Sequence, residues 1–202
     1  MAHVTSAEPA FCFPQFEVMK FKKLLLILIT LIVAMGLFSS LFTHASEGKL
    51  VDPYAAPKVE AQDQNGKTVK LEDIYLKGLT LVYFYPKADT PGCTAQACSL
   101  RDAYTDLTKA GIQVVGVSTD DVEAQKKFEK KYNLPFTLLA DPDGKILKEF
   151  GVKKIPLVGM ATRQAFLIKD GKVIWHDAKA STVEQAADVL KVVQTDGKSV
   201  NQ

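Results

Sequence analysis

The chain is poor in the residues that most often hold metals. Its 202 residues include only 3 cysteines, 3 histidines and 1 tryptophan. Charge of one sign is also lacking: 25 Lys and Arg stand against 23 Asp and Glu, a formal net charge of +2. Nucleic-acid binders usually present a basic stripe, so that class has no electrostatic support. The lysines are mixed with acids, as in Lys126-Lys127-Phe128-Glu129-Lys130-Lys131, which is the pattern of a solvated helix face. There is no internal repeat and no low-complexity tract. The length suits one globular domain plus an extension.

The extension is N-terminal. Lys20, Lys22 and Lys23 precede an apolar run from Leu24 to about Phe42, broken only by Thr30, Gly36, Ser39 and Ser40. Thr43-His44-Ala45 follows, then the polar Ser46-Glu47-Gly48. A basic stretch, an apolar stretch and a small residue describe a secretory signal peptide cleaved after Ala45. The competing reading is an uncleaved membrane anchor, because the run approaches the ~20 residues that span a bilayer. In both readings the lysines stay cytoplasmic, and the expected location is exported: periplasmic, or anchored to the outer face of the inner membrane. Residues 1–18 carry no helical or strand period and include Pro9 and Pro14, so translation is expected to start at Met19.

The expected organisation is an untranslated extension (1–18), a signal peptide or anchor (19–45), a linker (46–58), a folded domain (59–195) and a frayed C-terminus (196–202). Cleavage removes Cys12, His3 and His44 and leaves Cys93, Cys98 and His176. That inventory is too small for a zinc site of four Cys and His ligands.

Within the domain, Val59–Asp63 and Thr68–Leu71 flank Asn65-Gly66, a hairpin signal. Leu79–Tyr85 and Ile112–Val117 are continuous apolar runs suited to strands buried on both faces. Between them Cys93, Ala97, Leu100, Tyr104 and Leu107 recur at helical spacing up to Gly111. Asp120 or Asp121 caps a helix to about Tyr132, Phe136–Ala140 is a short strand, and Lys145–Phe150 forms one or two helical turns. Gln164–Ile168 and Lys172–Trp175 pair around Asp170-Gly171. Ser181-Thr182-Val183-Glu184 is a capping box that opens a last helix to about Val193. Mixed strands covered by helices make an α/β three-layer sandwich.

The most informative stretch is Pro86-Lys87-Ala88-Asp89-Thr90-Pro91-Gly92-Cys93-Thr94, with Cys98 five residues after Cys93. It puts a thiol where a turn becomes a helix. Unpaired backbone N–H groups and the positive end of the helix dipole face such a cysteine. Both favour the thiolate, the form that attacks electrophiles. If Cys93 and Cys98 share a helix, five residues give about 7.5 Å of rise and roughly 140° of rotation. Their Cα atoms are then about 8–9 Å apart, beyond the ~7 Å reach of a disulfide. A bridge forms only if the helix unwinds, as in a switch.

The Pro86-x-x-x-Thr90-x-x-Cys93 pattern resembles the active-site loop of the peroxiredoxins, thiol peroxidases on a thioredoxin-like fold. The longer match, Phe84-Tyr85-Pro86-Lys87 through Thr90-Pro91-Gly92-Cys93-Thr94 to Cys98, is similar to the PrxQ or bacterioferritin-comigratory-protein subfamily. Gly116-Val117-Ser118, Leu134-Pro135-Phe136, Asp141-x-x-Gly144, Gly151-Val152 and Arg163 extend the similarity over about residues 53–195. The resemblance implies a thioredoxin-like three-layer sandwich with a central mixed β-sheet. It implies that Cys93 is peroxidatic and Cys98 resolving, and that Thr90 and Arg163 hold thiolate and peroxide while Pro86 shields the pocket. Backbone N–H groups of Gly92 and Cys93 add to the anion hole. The substrates implied are hydrogen peroxide and organic hydroperoxides, and the partner a thioredoxin-like dithiol reductant acting on a Cys93–Cys98 disulfide. No cofactor and no metal is needed, the protein is a monomer, and it meets a membrane only through an uncleaved N-terminal segment.

The sequence departs from the subfamily at Ala88, often Asp, and at Ala124-Gln125, typically Ser-His. Two other functions compete: a thiol–disulfide oxidoreductase, although Cys-x-x-Cys is absent, and a redox sensor whose helix unwinds on oxidation. Arg101 beside Asp102 reads as structural, with a second active-site arginine as the alternative; His176 reads as a strand-end surface residue, and Tyr104 and Trp175 as core or rim aromatics.

Overall fold

The computed structural model describes residues 48–199, so the apolar leader, Cys12 and the expected cleavage point lie outside the described residues. The spine is β4 (Leu79–Phe84), whose apolar run suits a strand covered on both sides. Side chains alternate along a strand. Leu81, Tyr83 and then Tyr85 therefore enter one core, while Val82 and Phe84 enter the other.

β4 lies parallel to β5 (Ile112–Ser118) and antiparallel to β7 (Gln164–Lys169). Beyond β5 come the parallel β6 (Thr137–Ala140) and the hairpin of β2 (Glu60–Asp63) with β3 (Thr68–Lys70). Beyond β7 come β8 (Lys172–Asp177) and β1 (Lys49–Ala55). The full order is β1-β8-β7-β4-β5-β6-β2-β3. Asp170 and Gly171 between β7 and β8 both have positive φ, 51° and 71°, as a two-residue hairpin turn requires.

Two short helices, α1 (Leu71–Tyr75) and α5 (Lys145–Glu149), cover one face with Leu71, Ile74, Ile146 and Leu147. The other face is covered by α2 (Pro91–Asp102), α3 (Tyr104–Lys109), α4 (Val122–Tyr132) and α6 (Gln185–Ser199). These supply Cys93, Ala97, Leu100, Leu107, Phe128, Ala186 and Val189. The expected three-layer sandwich around a mixed sheet forms.

Three elements differ from the sequence reading. The segment 46–58, expected to be a linker, holds the edge strand β1, which pairs with β8 through an irregular register. The helix expected up to Gly111 breaks at Ala103 (φ −90°, ψ 5°) into α2 and α3, with no Gly or Pro to account for it. The last helix starts at Gln185 and continues to Ser199, through the stretch expected to fray. The Ser181 hydroxyl still accepts from the N–H groups of Val183 and Glu184, just ahead of it.

β4 delivers the chain to the carboxyl end of its parallel pair with β5. Loops gather around ligands at that edge in open α/β sheets, and the Cys93 loop begins there.

Candidate active site

Cys93 is the third residue of α2 and is 1 % exposed. Thr90 sits at the N-cap in extended backbone, but its side chain does not cap the helix. As first-turn residues, Gly92 and Cys93 have N–H groups without intrahelical acceptors, and the thiol sits at the positive end of the helix dipole. Arg163, just ahead of β7, reaches across to the same point: its Nη2 lies 3.4 Å from Cys93 Sγ. Gly92 leaves the room for this. A Cβ there would stand 3.3 Å from Arg163 Nη2, closer than most real contacts allow.

Two carboxylates hold the preceding loop. Asp120 Oδ2 accepts from the Ala88 N–H and the Ser118 hydroxyl, each at 2.7 Å. Asp89 has φ 58°, a left-handed conformation that Asp tolerates better than most residues. Its carboxylate accepts from Lys131 Nζ at 2.7 and 2.8 Å and from the Tyr132 hydroxyl at 2.6 Å. The Lys131 bond, then the Tyr132 bond, holds the Asp89 carboxyl below its ordinary range. Pro86 is half-buried at the head of this loop.

Beneath the thiol the core is aromatic. Tyr83 and Tyr85 stack at 5.4 Å between ring centres, and Tyr83 meets Phe136 edge-on. Burial pushes both phenols well up. Tyr85 donates to Gln125 Oε1, whose amide nitrogen donates to Ser118 Oγ and Leu139 O at 2.9 Å each. The Tyr83 hydroxyl is buried without a partner.

Of the five residues singled out from sequence, the structure brings Cys93 and Arg163 into contact. The Thr90 hydroxyl turns back into the loop and donates to the Lys87 carbonyl at 2.9 Å, leaving its lone pairs for an incoming donor. Cys98 lies on the same helix as Cys93, partly exposed, and neither is in a disulfide. Arg101 pairs with Asp102 at 2.8 Å and donates to the Tyr132 carbonyl, the structural place expected of it. His176 stacks on Phe166 at 4.3 Å, away from the thiol's core cluster.

Sequence reasoning missed Gln96, Gln185, Gln125 and Asp120. Gln96 had a local signal: one helical turn after Cys93, it shares the thiol's face. Its oxygen accepts from Arg163 Nη1, and its nitrogen donates to Gln185 Oε1 at 2.5 Å. Among the described residues no group of three or more His, Cys, Asp and Glu is placed to hold a metal. A cleft of about 800 Å³ between β2, β3, β6 and Tyr104 contains neither cysteine.

Known proteins resemble this chain in sequence and fold. Residues 54–176 match the AhpC/TSA family. Peroxiredoxin Q, chloroplastic, from Populus jackii is 42% identical over 159 residues, 78% of this chain and 72% of that protein. The structure of peroxidoxin BcpB from Mycobacterium tuberculosis superposes with a TM-score of 0.67 at 30% identity, covering 73% of this chain and 98% of that one. The Xanthomonas campestris bacterioferritin comigratory protein gives 0.62 at 25% identity, covering 68% and 91%.

The relatives correct one expectation. The poplar protein and its counterparts from rice and Sedum lineare are designated chloroplastic, and this finding overturns the exported, periplasmic assignment. The basic and apolar pattern of residues 20–42 is not specific to export, and it alone did not identify a destination. A thiol at a helix start, an arginine on its sulfur, a thioredoxin-like mixed sheet and these similarities have one reading: the chain belongs to the AhpC/TSA family, as a thiol peroxidase of the peroxiredoxin Q and bacterioferritin-comigratory-protein type.

Proposed function

We propose that this peroxidase reduces hydrogen peroxide and organic hydroperoxides through Cys93, with Cys98 as the resolving thiol. The observation that carries the reading is Arg163 Nη2 at 3.4 Å from the buried sulfur at the start of α2. An arginine cannot lose its proton at working pH and offers several N–H donors in a plane. It favours the thiolate and also faces the charge that moves onto the departing oxygen.

The Cys93 thiolate attacks the terminal oxygen of the peroxide. The S–O bond forms as the O–O bond breaks, and the departing oxygen takes a proton to leave as water or an alcohol. Thr90 is half-buried at the helix entrance, where its hydroxyl accepts a bond from the incoming hydroperoxide. Pro86 limits the approach of bulk water. The sulfenic acid on Cys93 then condenses with the Cys98 thiol, forming the S–S bond and releasing water. Both cysteines belong to one regular helix, so this step requires the first turns of α2 to unwind.

A thioredoxin-like dithiol completes the cycle by exchange into the disulfide. Organic hydroperoxides as substrates are supported by the alkyl peroxide reduction activity named for the Xanthomonas campestris relative. The acting unit is a monomer.

The test is a pair of substitutions. Cys93→Ser abolishes peroxide consumption, and Cys98→Ser allows one turnover and then stops with dithiol reductant present. A normal steady state in Cys98→Ser would overturn the two-cysteine cycle.

A further inference from the structure

Arg163 approaches Cys93 from one side only, so whatever holds the other edge of its guanidinium decides where its donors point. That edge rests on Gln96, whose side-chain oxygen accepts from Arg163 Nη1. A guanidinium has only donors. Gln96 must therefore turn its oxygen towards Arg163 and its NH2 away, into the protein interior. Gln96 is fully buried, so that NH2 needs an acceptor. Gln185 Oε1 supplies one at 2.5 Å, from a side chain that is itself 1 % exposed.

The polarity of the chain is thus set by the cation at its end: Gln185 fixes Gln96, Gln96 fixes Arg163, and Arg163 meets Cys93. The chain ends on a leftover group, because Gln185 Nε2 is buried without a hydrogen-bond partner. An arrangement selected only for packing would avoid it, since methionine fills similar space without a buried donor. Gln185 begins α6, 89 residues from Gln96 in sequence. The same contact is braced by Ser99 Oγ donating to the Val183 carbonyl at 2.8 Å.

We propose that Gln185 is a positioning residue for the peroxide reaction, acting through Gln96 to hold the Arg163 guanidinium against Cys93. Gln96 lies between Cys93 and Cys98, in the part of α2 that unwinds to form the disulfide. The relay is therefore complete in the state that attacks peroxide and comes apart in the state that resolves.

The proposal rests on Cys93 being the attacking thiol. Its test compares Gln185→Met, which keeps length and removes the acceptor, with Gln185→Glu, which keeps the acceptor. Two readouts are taken on the reduced protein: stopped-flow peroxide consumption, and the pH profile of Cys93 alkylation followed by peptide mass. Gln185→Met is expected to react about tenfold more slowly with peroxide, as a misplaced catalytic contact does, and to need higher pH for alkylation. Gln185→Glu is expected to stay within about threefold of the natural protein. Gln185→Leu replaces the methionine variant if that one does not fold.

A methionine variant with unchanged rate and alkylation profile, whatever its melting temperature, would overturn the proposal. So would equal losses in both variants. Failure of the underlying reading is distinguishable, because the Cys93→Ser variant would then still consume peroxide or the natural protein would leave it intact.

Discussion

The two faces of the sheet are built from the same strands but differ in kind. On the side of α1 and α5 the core is hydrocarbon and aromatic: Phe84, Phe150 and Phe166 lie 5.1 to 5.7 Å apart, backed by Leu71, Ile146 and Val173. On the side of α2, α4 and α6 the core also encloses polar groups, with Gln96, Gln125 and Gln185 each at most 1 % exposed. Buried amides cost free energy unless bonded, and they are tolerated here around the thiol. Both faces bury a large apolar core, and the thiol face adds the amide contacts that set geometry. β4 serves both because its side chains alternate, Val82 and Phe84 one way and Tyr83 and Tyr85 the other.

The division can be broken from either side. Phe150→Ala, on the hydrocarbon face, is expected to lower unfolding free energy by about 3–5 kcal/mol. The peroxide rate of the folded fraction should be unchanged, as denaturant titration alongside stopped-flow would reveal. Arg163→Met, on the other face, should do the reverse. The peroxide rate falls about 10²–10³-fold, the usual cost of losing one donor to a developing oxyanion, while chemical denaturation shifts far less. Gly92→Ala sharpens the same point. The new methyl crowds Arg163 Nη2, and a few tenths of an ångström of displacement should slow the reaction severalfold with little change in melting temperature.

The smallest effect belongs to His176, stacked on Phe166 and bonded to Gln164. Burial holds its folded pKa below the ordinary 6.5. Its stability contribution is therefore intact above about pH 6.5 and declines as pH falls through the lower folded value, because the unfolded chain takes up the proton first. His176→Phe keeps a ring on Phe166 and removes the titration. Its melting temperature should fall by about 1–2 °C less than the natural protein's between about pH 7.5 and 5.5.

Much of the fold is legible because its signals are local. The apolar runs of β4 and β5, the Asn65-Gly66 and Asp170-Gly171 turns and the Asp121 cap, which accepts from Ala124 N, follow from neighbouring residues. β1 escaped notice because it is an exposed edge strand that includes Pro53 and pairs only with β8. The thiol loop was legible from Pro86, Thr90 and Cys93. The support for Arg163 was not, since Gln96 and Gln185 meet across 89 residues with no shared pattern. Gln125 stands in the sequence only as a departure from the subfamily pattern, and its place as a fully buried partner of Tyr85 and Ser118 emerges from the fold.

The most direct test mixes the fully reduced protein with one equivalent of hydrogen peroxide. Fluorescence of Trp175, which is 2 % exposed and in the same core cluster as Cys93, follows the reaction before a peptide mass map. Rapid loss of peroxide with a disulfide between Cys93 and Cys98 is the expected result. Intact peroxide and two reduced thiols after minutes would contradict the assignment of Cys93 as the attacking thiol.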